Sequence, residues 1–248
     1  MLDLHAHILP GIDDGPSTLD GSLALARAAV EDGIELIAAT PHVRHDYPTT
    51  ADEMEQAVRE LRAALADAEI PLDVRTGGEL ALDRLELAAV ELRRFGLGGS
   101  PRHVLVETPY VGWPFDIGER LFRLRAAGFT PVLAHPERND EVQADPEARL
   151  RTLVESGTLV QLTAASMDGR LGRRARETGR RLLELELAHL LASDAHAPSI
   201  RAVGLSAAAD AVGDAALVRW LTRDVPAAIL EGDDLPPRPR TRRRWFSR

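Results

Sequence analysis

Nine imidazole and carboxylate side chains fall where extended, apolar stretches of this sequence run out. The first stretch carries Asp3-Leu4-His5-Ala6-His7. Alternation along a strand turns His5 and His7 to the same side, where two imidazoles can grip one cation. Asp14 follows just after. Ile34 to Thr40 ends at His42, Leu72 to Thr76 runs through Gly77-Gly78 into Glu79, and His103 to Val106 ends at Glu107. Thr130 to Ala134 ends at His135, and Leu190 to Ser193 ends at Asp194-Ala195-His196. Taken singly, each is an ordinary turn or helix-capping residue. Nine metal-competent groups at the same end of six strands point instead to a metal-dependent enzyme. The other histidines act as a control. His103 and His189 stand at the starts of their strands and are assigned to stability, and His45, in the loop behind His42, either lines the site or is solvated.

Composition narrows the chemistry. The chain has 248 residues and no cysteine, which excludes disulfides, thiolate zinc sites and a cysteine nucleophile. All thirty basic residues are arginine, so Schiff-base and carbamylated-lysine chemistry are excluded as well. The formal net charge is −9. Six arginines and no acid lie in residues 238–248, so the rest of the chain carries −15. An acidic body argues against nucleic acid as the ligand. Nothing at the start resembles a signal peptide, and no apolar run is long enough for a membrane span. The expected setting is the cytoplasm.

The elements that must position these groups alternate. Leu2–Ala6 is extended, and Thr18 to Glu31 has helical apolar spacing at Leu19, Leu23, Ala26 and Val30, stopped by Gly33. Ile34–Ala39 is the second strand. Thr50-Ala51-Asp52-Glu53 fits a capping box that opens a helix to about Ala68. Strand Leu72–Thr76, helix Leu85–Phe95, strand His103–Val106, helix Phe115–Ala127, strand Thr130–Ala134, helix Pro146–Ser156, strand Thr158–Leu162, helix Arg173–Glu186 and strand His189–Ser193 follow. Ile200–Ala211 and Asp214–Arg223 are helical, and Pro236-Pro237 and Pro239 end the fold. Seven βα units imply a parallel sheet, and their short spacing favours closure into a barrel whose strand C-terminal ends carry the chemistry. Residues 1–235 are expected to form this domain and 236–248 a basic tail. The tail has two readings: a solvated, disordered segment, the commoner outcome, or a weak contact with acidic lipid or a partner.

His5-Ala6-His7, Asp14, Thr40-Pro41-His42, Gly78-Glu79, Glu107, His135-Pro136-Glu137-Arg138 and Ser193-Asp194-Ala195-His196 resemble the PHP (polymerase and histidinol phosphatase) superfamily. The opening from His5 to Gly15, HAHILPGIDDG, is similar to its branch of protein-tyrosine phosphatases encoded with capsular and exopolysaccharide genes. The resemblance runs over essentially the whole chain. It implies an α/β fold, a distorted (β/α)7 TIM-like barrel of the PHP type, with two to three metal ions, usually manganese. Mapped onto this chain, it gives His5, His7, Glu79 and Asp194 to a first ion. Glu79, Glu107 and His135 go to a second, and Asp14, His42 and His196 to a third. Iron and zinc suit the same mixed ligands.

The implied activity is hydrolysis of phosphotyrosine on a bacterial tyrosine autokinase of polysaccharide export. The alternative is a PHP phosphoesterase for a small metabolite such as histidinol phosphate, and a third reading is a non-enzymatic partner of the kinase. Without a thiolate, a phosphatase must attack with water, which close cations activate. Further positive charge is needed on the phosphoryl oxygens, and Arg138 and Arg201 are placed to supply it, a role the resemblance also assigns. Their ordinary readings are a loop ion pair with Glu137 and a helix-surface arginine. The segments Val43–Pro48 and Thr108–Pro114 follow ligand-bearing strands and should line the entrance. Tyr110 and Trp113 in the second segment either pack against a substrate ring or cap the core.

Overall fold

The computed structural model describes residues 1–197 and 202–240. Among the described residues there are nine strands: β1 (Leu2–Ala6), β2 (Leu36–Ala39), β3 (His42–Val43), β4 (Asp73–Arg75), β5 (Glu79–Leu80), β6 (His103–Glu107), β7 (Thr130–Ala134), β8 (Leu159–Thr163) and β9 (Leu190–Ala192). Every pairing between them is parallel. They form a three-stranded sheet, β1-β2-β4, and a six-stranded sheet, β3-β5-β6-β7-β8-β9. The ladders are therefore two parallel sheets rather than a single closed ring.

The break between the sheets has a local cause. β2 and β3 are consecutive pieces of one extended segment, interrupted at Thr40-Pro41, and β4 and β5 are likewise interrupted at Thr76–Gly78. A proline lacks the N–H that a ladder needs. Gly78 is a close-approach position, since a Cβ there would come within 2.7 Å of the Phe95 ring. Beyond the last strand, Ala6 and Ala195 form an isolated parallel bridge, with the Asp194 N–H donating to His5 O and the His7 N–H to Ala195 O, both at 2.8 Å.

Register aligns the strand ends. His42 pairs with Glu79 across β3 and β5, and Glu107 pairs with Ala134, the residue before His135, across β6 and β7. The Ala6–Ala195 bridge sets His5 and His7 against Asp194 and His196.

Helices cover the sheets through apolar faces. Leu19–Glu31 is capped by Thr18, whose hydroxyl accepts from the Gly21 N–H, and it buries Leu25, Ala26 and Ala29. Ala51–Asp67 has the expected capping box between Thr50 and Glu53 and buries Met54, Val58, Leu61 and Leu65. The expected helix over Leu85–Phe95 is instead a 3₁₀ turn (Leu82–Glu86) and a short helix (Ala89–Arg94). Leu87, extended at φ −56°, ψ 153°, packs against the core between them, so tertiary burial overrides the helical spacing. A helix at Val225–Glu231, reached through a π-turn at Trp220–Asp224, adds to the sequence-based elements. No helix among the described residues is long and apolar enough to cross a membrane.

Pro236 and Arg238 contact the body. The Trp220 indole donates to Pro236 O at 2.9 Å, and the Arg238 guanidinium donates to Ala188 O and Leu183 O while lying over the Trp220 ring. The remainder of the arginine-rich tail, 241–248, is outside the described residues; of the helix expected over Ile200–Ala211, residues 200 and 201 are outside them too, residues 202–205 are irregular, and the helix runs from Ser206 to Val212.

Candidate metal centre

The strand ends bring all nine expected ligands into one cluster, buried except for the exposed Asp14 and the half-buried Glu107. Two imidazole nitrogens lie close to each other and to two carboxylate oxygens. His5 Nε2 is 3.3 Å from His7 Nε2, 3.5 Å from Glu79 Oε2 and 3.4 Å from Asp194 Oδ1. His7 Nε2 is 3.4 Å from Glu79 Oε2 and 3.5 Å from Asp194 Oδ1. Four ligands placed about 2.0–2.2 Å from one ion in a tetrahedron are separated by roughly 3.3–3.6 Å. The His5, His7 and Glu79 atoms have that spacing and can share one cation, and Asp194 Oδ1 keeps it to both imidazoles. Asp14 Oδ1 lies 3.4 Å from His42 Nε2 and 3.1 Å from His196 Nε2, which with His7 make a second ligand group. His42 Nδ1, Glu79 and Glu107 make a third, with 3.0 Å between His42 Nδ1 and Glu79 Oε2 and 4.0 Å to Glu107 Oε2. His135 Nε2 faces the other oxygen of Glu79, Oε1, at 2.9 Å. His42 thus turns one nitrogen to Asp14 and the other to Glu79, whereas the resemblance gives it to the Asp14 group alone.

Glu79 is central. Its Oε2 is buried, is ringed by His5, His7 and His42 at 3.0–3.5 Å, and accepts a well-aligned hydrogen bond from none of them. Such an oxygen is better satisfied by a cation than by a neutral imidazole. The residues present fit a cluster of metal ions.

The hydrogen bonds behind the ligands fix which nitrogens face inward. Gln161 Oε1 already accepts from the His135 N–H, so it accepts from His5 Nδ1, 3.0 Å away, leaving His5 Nε2 with its lone pair toward the cluster. Asp13 Oδ2 accepts from His7 Nδ1 at 2.6 Å and from the His42 backbone N–H at 3.1 Å. His196 Nδ1 donates to Asp194 O at 2.9 Å. Such partners set tautomer and orientation for ligand histidines. Sequence reasoning passed over Asp13 and Gln161. A signal for each was available: Asp13 belongs to an Asp-Asp pair, and Gln161 is a polar residue inside an apolar strand. Asp3 is a third such residue. It is buried, accepts from the His5 and Ser193 backbone N–H groups, and is pushed up to about 6 by burial.

Electrostatics mark the same place. Burial opposes ionisation of Glu79, Asp14 and Asp194, yet the imidazoles around them outweigh it and hold all three carboxyls below their ordinary range. Burial likewise opposes protonation of His5 and His7, and the facing carboxylates push both above their usual value. Burial, reinforced by the charge of Glu79, pushes Glu107 up. The negative field that draws protons onto these imidazoles is one that a divalent cation would occupy in their stead.

Two ligands are also held in left-handed backbone conformations, His135 at φ 40° and Asp194 at φ 51°. Non-glycine residues rarely adopt these, and they concentrate at functional sites. Gly15 serves the same loop geometry, because a Cβ there would come within 2.3 Å of His7 O.

Arg138 reaches the rim of the cluster. Its Nη1 donates to Asp194 Oδ2 at 2.5 Å, and its guanidinium lies 4.6 Å over the Tyr110 ring. Its expected partner Glu137 points elsewhere: fully buried, it accepts from Ser166 Oγ and the Thr163 N–H, and burial pushes it up to about 6. Arg201 lies outside the described residues. His103 and His189 are at the opposite ends of their strands, away from every ligand group.

A family model described as capsular polysaccharide synthesis, CpsB/CapC, matches residues 1–230. The chain belongs to this family. It is 36% identical over 198 residues to the tyrosine-protein phosphatase YwqE of Bacillus subtilis, spanning 79% of this chain and 77% of that protein. It is 29% identical over 197 residues to a putative tyrosine-protein phosphatase CapC of Staphylococcus aureus, with the same shares covered. Among solved structures it matches a chain from the crystal structures of YwqE from Bacillus subtilis and CpsB from Streptococcus pneumoniae, described as unique metal-dependent tyrosine phosphatases. That match has a TM-score of 0.85 at 33% identity and covers 98% of this chain and 100% of the other.

Proposed function

We propose that this CpsB/CapC family member is a metal-dependent protein-tyrosine phosphatase. The observation that carries the reading is the set of donor atoms on His5, His7 and Glu79, close enough to share a cation, with Asp194 against both imidazoles and touched by Arg138. The metabolite reading gains no support from the relatives, which are named as tyrosine phosphatases.

His5, His7, Glu79 and Asp194 would hold one ion, Asp14, His42 and His196 another, and Glu79, Glu107 and His135 or His42 a third. When bound, such ions lower the pKa of water and neutralise the phosphoryl oxygens. Manganese is the assigned metal, with two to three ions per chain. Gln161 and Asp13 keep the Nε2 lone pairs of His5 and His7 aimed inward throughout. Arg138, loosened from Asp194 by the incoming phosphate, contacts phosphoryl oxygens through two N–H groups as charge shifts toward the leaving oxygen. Water adds to phosphorus as the phosphorus–oxygen bond to the phenol breaks, and the proton it loses passes through solvent to the released phenolate. Phenolate, with a pKa of about 10, leaves without a dedicated acid. In this reading Arg201 supplies a second guanidinium.

The two sheets are read as one distorted (β/α)7 barrel in which β2/β3 and β4/β5 each count as one interrupted strand. The Ala6–Ala195 bridge supports this closure. The substrate is assigned as a polysaccharide-export tyrosine autokinase, in keeping with the family's capsular role. Because protein phosphorylation draws on ATP, the reading sets the enzyme in the cytoplasm. Metal analysis of the purified protein, with phosphotyrosyl-peptide turnover measured on the same sample, tests it. More than one ion per chain, with turnover lost on chelation and restored best by manganese, is expected. Full activity in metal-free protein would overturn it.

A further inference from the structure

Both of the chain's tyrosines occupy the same arrangement, on opposite sides of Glu79. On one side, His42 Nδ1 faces Glu79 Oε2 at 3.0 Å, and the Tyr47 ring stacks on the His42 imidazole, 5.8 Å between centroids and 18° between planes. The Arg44 guanidinium lies 5.2 Å over Tyr47 and donates to Glu107 Oε1 at 2.8 Å. On the other side, His135 Nε2 faces Glu79 Oε1 at 2.9 Å, and the Tyr110 ring stacks on His135, 5.7 Å between centroids and 25° between planes. The Arg138 guanidinium lies 4.6 Å over Tyr110 and donates to Asp194 Oδ2. Each side has a carboxylate, an imidazole, a phenol ring and a guanidinium that returns to a second carboxylate of the cluster. The two sets come from unrelated segments of the chain.

Both rings are fixed from behind. The Arg44 N–H donates to Tyr47 O at 3.0 Å, and Val43 and Pro48 form an antiparallel bridge, which closes a tight turn around Tyr47. The Tyr110 loop is tied to the segment after Arg138. Asn139 Nδ2 donates to Pro109 O and Gly112 O, Asp140 Oδ1 accepts from the Gly112 N–H, and the Asp140 N–H donates to Tyr110 O. Yet neither ring is buried: Tyr110 is 44% exposed and Tyr47 is partly exposed. A ring held in place with accessible surface loses little entropy when another ring stacks on it.

We infer that Tyr47 and Tyr110, each positioned by its arginine, are the two walls of a slot for the ring of an aryl phosphate, and that they make the site prefer aryl over alkyl phosphate monoesters. The inference rests on the phosphatase reading for its reaction but not for its binding, and the test separates the two. The alternative, that the tyrosines only shield the cluster from water, predicts equal effects on every substrate.

The experiment compares wild type with Tyr47→Leu, Tyr110→Leu and the matching phenylalanine variants, all loaded with manganese and checked for metal content. Two measurements are made. One is kcat/KM on phosphotyrosyl and phosphoseryl peptides of the same sequence. The other is equilibrium binding of that peptide carrying a non-hydrolysable difluoromethylphosphonate on the aromatic ring. Each leucine variant should lower kcat/KM for the phosphotyrosyl peptide, and binding of the phosphonate, by roughly two- to tenfold, the size of one aromatic contact. The phosphoseryl peptide should change by less than about twofold, and phenylalanine should preserve both readouts. Arg44→Gln, compared at matched metal content because Arg44 also holds Glu107, should lower the aryl-to-alkyl ratio, and lower it no further once Tyr47→Leu is present. If wild type turns over phosphotyrosyl peptide and both leucine variants keep the wild-type ratio, the slot is wrong and the phosphatase reading stands. If wild type turns over neither peptide but binds the phosphonate in a Tyr47- and Tyr110-dependent way, the slot stands and the hydrolytic reading fails. Loss of both turnover and binding in wild type overturns both.

Discussion

The imidazoles at the two ends of the parallel strands meet opposite surroundings. At the C-terminal ends, His5, His7 and His42 face Glu79, Asp194 and Asp14, and although burial alone would push them down, His42 is raised to about 9. At the starts of β6 and β9, His103 and His189 are also largely out of water, but their charged neighbours are arginines. Burial, with Arg102 beside one and Arg238 beside the other, lowers both to about 4. Their nitrogens satisfy the fold: His103 Nδ1 is 3.0 Å from Ser100 Oγ, and His189 Nδ1 accepts the Val160 N–H at 3.1 Å. One residue type therefore does two kinds of work, with His135 between them: it faces Glu79, yet burial and the charge of Arg138 lower it. Carboxylates make a cation site, while arginines and main-chain donors make a neutral structural imidazole.

The largest test of this division removes inner ligands. Glu79→Ala, His5→Ala and Asp194→Ala should each lower turnover by on the order of 10³-fold or more, with bound metal lost. His103→Ala should leave turnover and metal content near wild type, and turnover as damaged as in His5→Ala would break the comparison.

Next in size is the arginine at the rim. Arg138→Ala should reduce kcat by roughly 10²–10³-fold while the metals stay bound, and Arg138→Lys should recover only part, lacking the planar fork. An unchanged kcat in Arg138→Ala would remove it from the mechanism. Behind the ligands, Asp13→Ala and Gln161→Ala should weaken metal binding by roughly 10- to 100-fold, as titration against a competing chelator would show. Wild-type affinity in both would mean that these contacts do not orient His7 and His5.

The smallest effect belongs to the structural end. His103 and His189 have folded pKa values of about 4 against an ordinary 6.5, so the unfolded chain takes up their protons first. Their contribution to stability is complete above about pH 6.5 and is lost as the pH falls through 4, on the order of 2–3 kcal/mol for each. Denaturant unfolding from pH 7 to pH 4 should show a smaller drop in His103→Gln and His189→Gln than in wild type. Parallel curves for wild type and variants would mean that neither imidazole is held neutral by the fold.

Part of this arrangement is legible in the amino-acid sequence alone. Strand alternation sets His5 and His7 on one side, and the strands expected from the sequence match β1, β6 and β7 to within a residue. Thr50 and Glu53 announce their own capping box, because that motif is local. The Leu85–Phe95 helix fails because its apolar spacing cannot reveal that Leu87 is drawn toward the core. Asp13 and Gln161 escape notice because their partners, His7 and His5, acquire a need for them only once the rings are fixed.

Residue types and their spacing narrow the chemistry available: a cysteine-free, lysine-free chain with nine oxygen- and nitrogen-bearing candidate ligands at strand ends. Which groups meet is settled by tertiary pairing. Glu79 stands between His42 and His135 because β3, β5, β6 and β7 pair in one register, and Tyr110 reaches His135 because the loop after β6 folds over the end of β7, whereas Tyr47 meets His42 through a local turn. Such neighbours are set by hydrogen-bonded ladders between segments far apart in the chain, where a shift of one residue turns every side chain to the other face.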